Sequence, residues 1–290
     1  MSIENQKRVI ACVDQSAYAD AVTDHAAWAA KRLGAPLELL HVIDRHPETA
    51  HSHDHSGAIG PDGQAALMRQ LSNADEALVR AAREQGRLFL NRLRERALAA
   101  GVGVVDMRQR LGHLDETLHE AQSEARLVVM GRLGASVAQV DAALGSNVER
   151  VVRALELPIL AVAGMGFKAP ERLLLAFDGS AATRKGVDMV ASSPLFRGIG
   201  VKLVMAGDGR SDAQAQIDWA AERLRQGGLV VEADIVTGEP LPALLAAVER
   251  ERADWLLMGA YTHSSWRHLL KPSRTRHVLA SVGVPTLLLR

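Results

Sequence analysis

Short, uninterrupted apolar runs alternate along the chain with longer stretches in which apolar residues recur at every third or fourth position. The run "RVIACVD" ends on Asp14 and passes through Ser16 into "YADAVTDHAAWAAKRLGA", whose periodicity predicts a helix stopped by Gly34. "PLELLHVID" then predicts a second strand. Because these strands are apolar along their length rather than at alternate positions, they predict a parallel sheet covered by helices on both faces.

The same grammar returns later as "RLLLAFDGSAATRKGVDMVAS" followed by "GIGVKLVMAGD". Further on, "GVGVVDMRQRLGHLDETLHEAQSEARLVVMG" aligns with "GLVVEADIVTGEPLPALLAAVERERADWLLMG", each a strand, a Gly turn, an amphipathic helix and an apolar strand ending in Met-Gly. Each copy closes on a Pro-led strand, "ELPILAVAG" and "GVPTLLLR". A repeat this long predicts two tandem α/β domains, residues 1–165 and 170–290, across the Gly-rich linker "AGMGFKAPE". The last strands, "PILAVAG" and "PTLLLR", are expected to meet edge to edge, so that one chain forms a pseudo-dimer; two chains associating further is a second expectation.

From its Asp to its Met-Gly the first copy spans 117 residues and the second 81, and the excess lies in a helical insertion over 45–100. Leu67, Leu71, Ala74, Leu78, Ala81, Leu88 and Leu93 form its apolar stripe. Such a helix must cover its own sheet, the neighbouring domain or a second chain.

Composition narrows the class. Lys plus Arg and Asp plus Glu both total 34, so no global field draws the chain to nucleic acid or an anionic membrane. The first residues carry no apolar signal core, and no apolar run is long enough to span a bilayer, which predicts a cytoplasmic protein. The single cysteine, Cys12, lies inside an apolar run and reads as a small buried hydrophobe.

The quoted residues resemble the universal stress protein family in its tandem form. A strand ending in Val-Asp-x-Ser, an Ala-rich helix closed by Gly-Ala and a strand ending in His-Val stand together in "VDQSAYADAVTDHAAWAAKRLGAPLELLHV", and "FDGSAATRKGVDMVA" matches more loosely. The resemblance implies two flavodoxin-like or Rossmann-like domains, each a five-stranded parallel sheet. In one branch of the family it also implies ATP, with Mg²⁺, bound through Gly-x2-Gly-x9-Gly-[Ser/Thr]. The motif makes physical sense, since glycines let backbone N–H groups approach phosphate and the next helix adds its positive end.

Gly131, Gly134, Gly145 and Ser146 supply every residue type of that motif, with ten residues rather than nine between Gly134 and Gly145. In the second copy the spacing from Gly259 is right, but Thr262 and Pro272 replace glycines. Threonine brings a Cβ and proline removes an N–H, so the second site is expected to be degenerate. Carried over by position, Val13 and Asp14 face the adenosine end and Val42 offers main chain to the adenine edge. Met130, Gly131, Arg132, Gly134, Gly145, Ser146, Asn147 and Val148 form the phosphate side. Asp14 also reads as an N-cap for the first helix, and Asp178 as a cap alone.

The loop "HPETAHSHDHS" brings together His46, His51, His53 and His55 with Glu48 and Asp54. In an extended chain His51, His53 and His55 point one way and are candidates for a zinc-type ion, against the plainer reading of a solvated loop. His113 and His119 have no sequence-evident nucleophile or orienting acid, and no catalytic residue is assigned. Trp219, Trp255 and Trp266 read as core and interface anchors. The expected function is an ATP-binding stress-response regulator or chaperone-like partner. The alternatives are an interaction and dimerisation module without nucleotide, or a slow ATPase whose base the sequence does not supply.

Overall fold

The computed structural model describes residues 7–43, 61–132, 146–206, 211–259 and 278–289, with backbone alone at 61–78 and 146. The first half runs β1 (Arg8–Cys12), α1 (Ala19–Leu33), β2 (Leu37–Ile43), α2 (Pro61–Ala99), β3 (Val105–Leu111), α3 (Leu114–Ala121), β4 (Ala125–Gly131), α4 (Ser146–Ala154) and β5 (Ile159–Val162). The second runs β6 (Arg172–Phe177), α5 (Ala181–Ser192), β7 (Gly200–Ala206), α6 (Ala213–Gln226), β8 (Val231–Val236), α7 (Pro240–Arg250), β9 (Trp255–Gly259) and β10 (Thr286–Leu289).

All ten strands form one sheet in the order β3-β2-β1-β4-β5-β10-β9-β6-β7-β8. Pairing is parallel within each half, and the halves join where β10 runs antiparallel to β5, with Thr286 opposite Ala161, Leu287 opposite Leu160 and Leu288 opposite Ile159. The expected edge-to-edge meeting of the two last strands is therefore what the fold contains. It removes two exposed edges whose side chains are buried throughout, β5 reading Ile-Leu-Ala-Val and β10 Thr-Leu-Leu-Leu.

A second seam lies on one face of the sheet. Trp28 of α1 stands edge-on to Trp255 at the start of β9, with ring centroids 5.2 Å apart. His25 packs between Trp255 and Phe167 of the linker. The Arg32 guanidinium covers Trp28 and donates to the main-chain carbonyls of Leu195 and Arg197 in the second half. Trp255 is thus the interface anchor its sequence suggested, and Trp219 packs on Phe177. Trp266 lies outside the described residues. Alanines along α1 make this approach close, because a face built of Ala21, Ala26, Ala27, Ala29 and Ala30 brings the helix axis down onto the sheet. Gly34 ends the helix in the left-handed region at φ 60°.

The insertion differs from expectation in which face it buries. Gly86, Leu90, Leu93 and Ala97 face β2, β3 and α1, while Ala81 is exposed and Leu88 is 57% exposed. At 100° per residue Gly86, Leu90 and Ala97 sit more than a quarter-turn round the helix from most of the stripe read in the sequence, and among the described residues of that stripe Leu93 alone is shared with the buried face. Among the described side chains, the C-terminal part of α2 rests on the sheet and is clamped to α1 by Arg96 on Asp24 and Arg92 on Asp20. Since α2 lies over the β2–β3 end of the sheet, the far end from the second half, it covers its own half.

Candidate functional site

The order of strands reverses between β1 and β4, since the chain builds from β1 outward to β2 and β3 but from β4 outward to β5. Beyond the carboxyl ends of strands at such a reversal the flanking loops part and leave a crevice. The register Cys12 to Met130 brings Val13 and Asp14 out beside Gly131 and Arg132. The expected adenosine end and the expected phosphate side therefore share one edge of the sheet.

Main-chain bonds fix both. Val13 donates to the Leu40 carbonyl at 2.9 Å and Arg132 to the Val162 carbonyl at 3.0 Å. The side chains of Val13, Met130 and Val148 are buried in the core, so these three have only main-chain groups to offer a ligand. Val42, Asn147, Asp14, Gly131 and Arg132 are half-buried at the same edge. Ser146 opens α4, so the unsatisfied N–H groups of a helix start belong to this end of β4. Gly134 and Gly145, and with them the ten-residue spacing, lie outside the described residues, as do the histidines at 46–55. Among the described residues no group of three or more His, Cys, Asp or Glu is placed to hold a metal.

The two aspartates that end β1 and β6 are used differently. Neither is the helix N-cap that the sequence suggested. Asp14 accepts from the Ser16 amide at 3.1 Å, and Tyr18 occupies the cap position of α1. Asp178 accepts from the Ser180 amide at 2.9 Å and from the Thr183 hydroxyl at 2.6 Å, while Ser180 caps α5 through the Thr183 amide. The fifth residue after the aspartate is therefore decisive: Thr183 in the second half, Ala19 in the first. Thr183 also lies close to the end of β9, its Cγ2 3.2 Å from where a Cβ on Gly259 would stand. The Gln216 side chain lies over Gly179. In the second half Thr183 and Gln216 thus crowd the turn after β6, and Ala19 brings no hydroxyl to its counterpart.

Arg132 sits where expected along the chain, and its side chain reaches the other half. The guanidinium donates to the carbonyl oxygens of Leu279 and Val282, and burial draws its pKa below the ordinary arginine value. The thiol of Cys12 is pushed well up by burial, with Glu38 and Asp14 adding to the effect, so it stays protonated inside the core. The His119 Nδ1 lies 3.4 Å from the Ala154 carbonyl oxygen, which sets α3 against the end of α4.

Sequence reasoning missed His41, whose ring holds the Val13 carbonyl, and missed the Arg132 contact. The Ala19 and Thr183 difference was readable by counting five residues on from each aspartate.

A doubly wound parallel sheet repeated in tandem, with a switch point between β1 and β4 in its first half, defines an α/β protein with two flavodoxin-like halves. The chain belongs to the universal stress protein family, whose model matches residues 5–163 and 202–290. The unmatched stretch between them holds β6 and α5, where the opening motif is loosest. The chain is similar to the universal stress protein Slr1230 of Synechocystis, 29% identical over 287 residues that cover 98% of this chain and all of that protein. In structure it is similar to a universal stress protein from Archaeoglobus fulgidus, with TM-score 0.71, 18% identity and 98% of each chain covered. A Pseudomonas aeruginosa protein described as a putative universal stress protein matches at TM-score 0.61 and 14% identity over 99% of this chain and 94% of its own. No described helix is long and apolar enough to cross a membrane.

Proposed function

We propose that this universal stress protein binds ATP, accompanied by Mg²⁺, in the crevice between β1 and β4, and acts in the cytoplasm as a nucleotide-dependent stress-response regulator or chaperone-like partner. The observation that carries this reading is the contrast between the halves: Thr183 closes on Asp178 and Gly259, while Ala19 stands in its place near Asp14. Residues 1–165 then form the nucleotide unit and 170–290 its degenerate partner. Asp14 faces the sugar, Val13 and Val42 offer main chain to the base, and Gly131, Gly134, Gly145 and the start of α4 cradle phosphate. Mg²⁺ offsets part of the triphosphate charge. No side chain is assigned as a base, so hydrolysis is not part of the reading.

The exposure of Leu88 favours a second reading, in which α2 presents a surface to another protein whether or not nucleotide is bound. The two are separated by heating the full chain with and without Mg²⁺-ATP. A ligand at a hundred times its Kd stabilises by about 2.7 kcal/mol, which raises Tm by a few degrees. The rise should vanish in Gly134→Asp, which puts a carboxylate in the cradle. No rise at millimolar ATP would leave only the second reading.

A further inference from the structure

Of the carbonyls that receive Arg132, that of Leu279 lies in a helical segment, residues 278–281, and that of Val282 directly follows it, just before β10. Val282 still donates to the Val278 carbonyl, so both acceptors lie in the last turn. Carbonyls there have no donor within the helix and carry the negative end of its dipole. One guanidinium from the first half serves two such acceptors in the second. Its root is fixed, because the Arg132 amide is bound to Val162 at the carboxyl end of β4. In the internal repeat the residue after Gly259 is Ala260, which carries no guanidinium.

Arg132 is also the residue that follows Gly131 at the mouth of the crevice. A phosphate meets the guanidinium with full negative charge and two oxygens, where a carbonyl offers only a dipole, so phosphate outcompetes a carbonyl for the same guanidinium. The carbonyls and a phosphate therefore compete for one cation.

We propose that Arg132 couples phosphate occupancy in the first half to the terminal helix of the second. A triphosphate at the crevice draws the guanidinium off Leu279 and Val282, and the helix end before β10 loosens. The inference rests on the ATP reading, and the coupling is reciprocal, so a helix end that holds Arg132 more firmly weakens the nucleotide. Because β10 is the strand that joins the halves, the released turn lies beside the seam between them.

Hydrogen exchange of the full chain, with and without saturating Mg²⁺-ATP, tests it, with binding heat recorded on the same samples. In the native protein ATP should speed exchange in the peptide holding residues 278–283 by roughly fivefold or more, opposite to the slowing that ligands usually cause. Arg132→Ala should exchange fast with or without ATP. Arg132→Gln, which keeps an amide donor for the carbonyls but no charge, should exchange slowly in both states. Binding heat without faster exchange in the native protein overturns the coupling and leaves the ATP reading standing. An ATP-driven rise that persists in either variant overturns Arg132 as its carrier. Absence of binding heat in the native protein overturns both.

Discussion

The His41 imidazole lies with Nδ1 2.9 Å from the Val13 carbonyl oxygen, and because a carbonyl only accepts, Nδ1 carries the proton. A side chain of β2 thereby closes the end of β1 one residue before Asp14. Phe89 of α2 packs on the same ring with centroids 5.5 Å apart. The insertion, the second strand and the mouth of the crevice form one packed unit.

Replacing His41 with Ala leaves the Val13 carbonyl without its donor and opens space under Phe89. We expect a loss of about 1–3 kcal/mol from the buried acceptor, with the cavity adding to it. Urea denaturation measures that loss, and an ATP titration of the same variant should show weaker binding, because the Asp14 turn is no longer held. Unchanged stability would mean that the bond contributes nothing.

Two glycines test close approaches of helices, Gly86 of α2 to the sheet and Gly227 at the end of α6 to α5. A Cβ on Gly86 would stand 2.1 Å from Gln109 Nε2 and 3.1 Å from His41 Cδ2, and the Gln109 amide can swing away. A Cβ on Gly227 would stand 2.3 Å from the Ala191 carbonyl oxygen, which is backbone and cannot. Gly86→Ala should cost about 1–3 kcal/mol, the range for overpacking, and Gly227→Ala more than Gly86→Ala. Denaturant midpoints give the order, and equal losses would contradict it.

His25 makes stability depend on pH. It is 1% exposed, and burial lowers its pKa below the usual 6.5, partly offset by its bond to the Ala21 carbonyl and by Asp24. As pH falls past about 6.5 the unfolded chain takes up a proton that the folded chain refuses, so stability present above that pH is lost below it. The Tm should drop between pH 7.5 and 5.5 by more than in His25→Phe, which fills the place beside Phe167 and Trp255 without titrating. Parallel profiles for the two proteins would contradict this.

The alternation of apolar runs and amphipathic stretches made the doubly wound sheet legible, because its central strands, covered on both faces, are almost wholly apolar. The meeting of β5 and β10 was legible for a similar reason: both are short and apolar, and each would otherwise be an open edge. The buried face of α2 was not. Its stripe keeps a regular spacing through Leu67 and Leu88, and nothing in that spacing says where the sheet beneath it ends. The Arg132 contact spans 147 residues and leaves no local trace. At the site, residue types and positions along the chain could be read, but the closing of Thr183 onto Asp178 and Gly259 required the fold.

That difference can be reversed by substitution. Ala19→Ser gives the first half a hydroxyl where the second half carries Thr183, and it should weaken ATP about tenfold, a change of about 1.4 kcal/mol, with little effect on the melting temperature without nucleotide. Calorimetric titration of the variant checks it, and affinity equal to that of the native chain would show that the hydroxyl is not what closes a crevice.

The most direct test is the binding stoichiometry of Mg²⁺-ATP on the full chain by isothermal titration calorimetry. The asymmetry between Asp14 with Ala19 and Asp178 with Thr183 requires one ATP per chain, abolished by Gly134→Asp and unaffected by Thr183→Ala in its first-half affinity. Two equivalent sites per chain, or no heat at millimolar ATP, would contradict it.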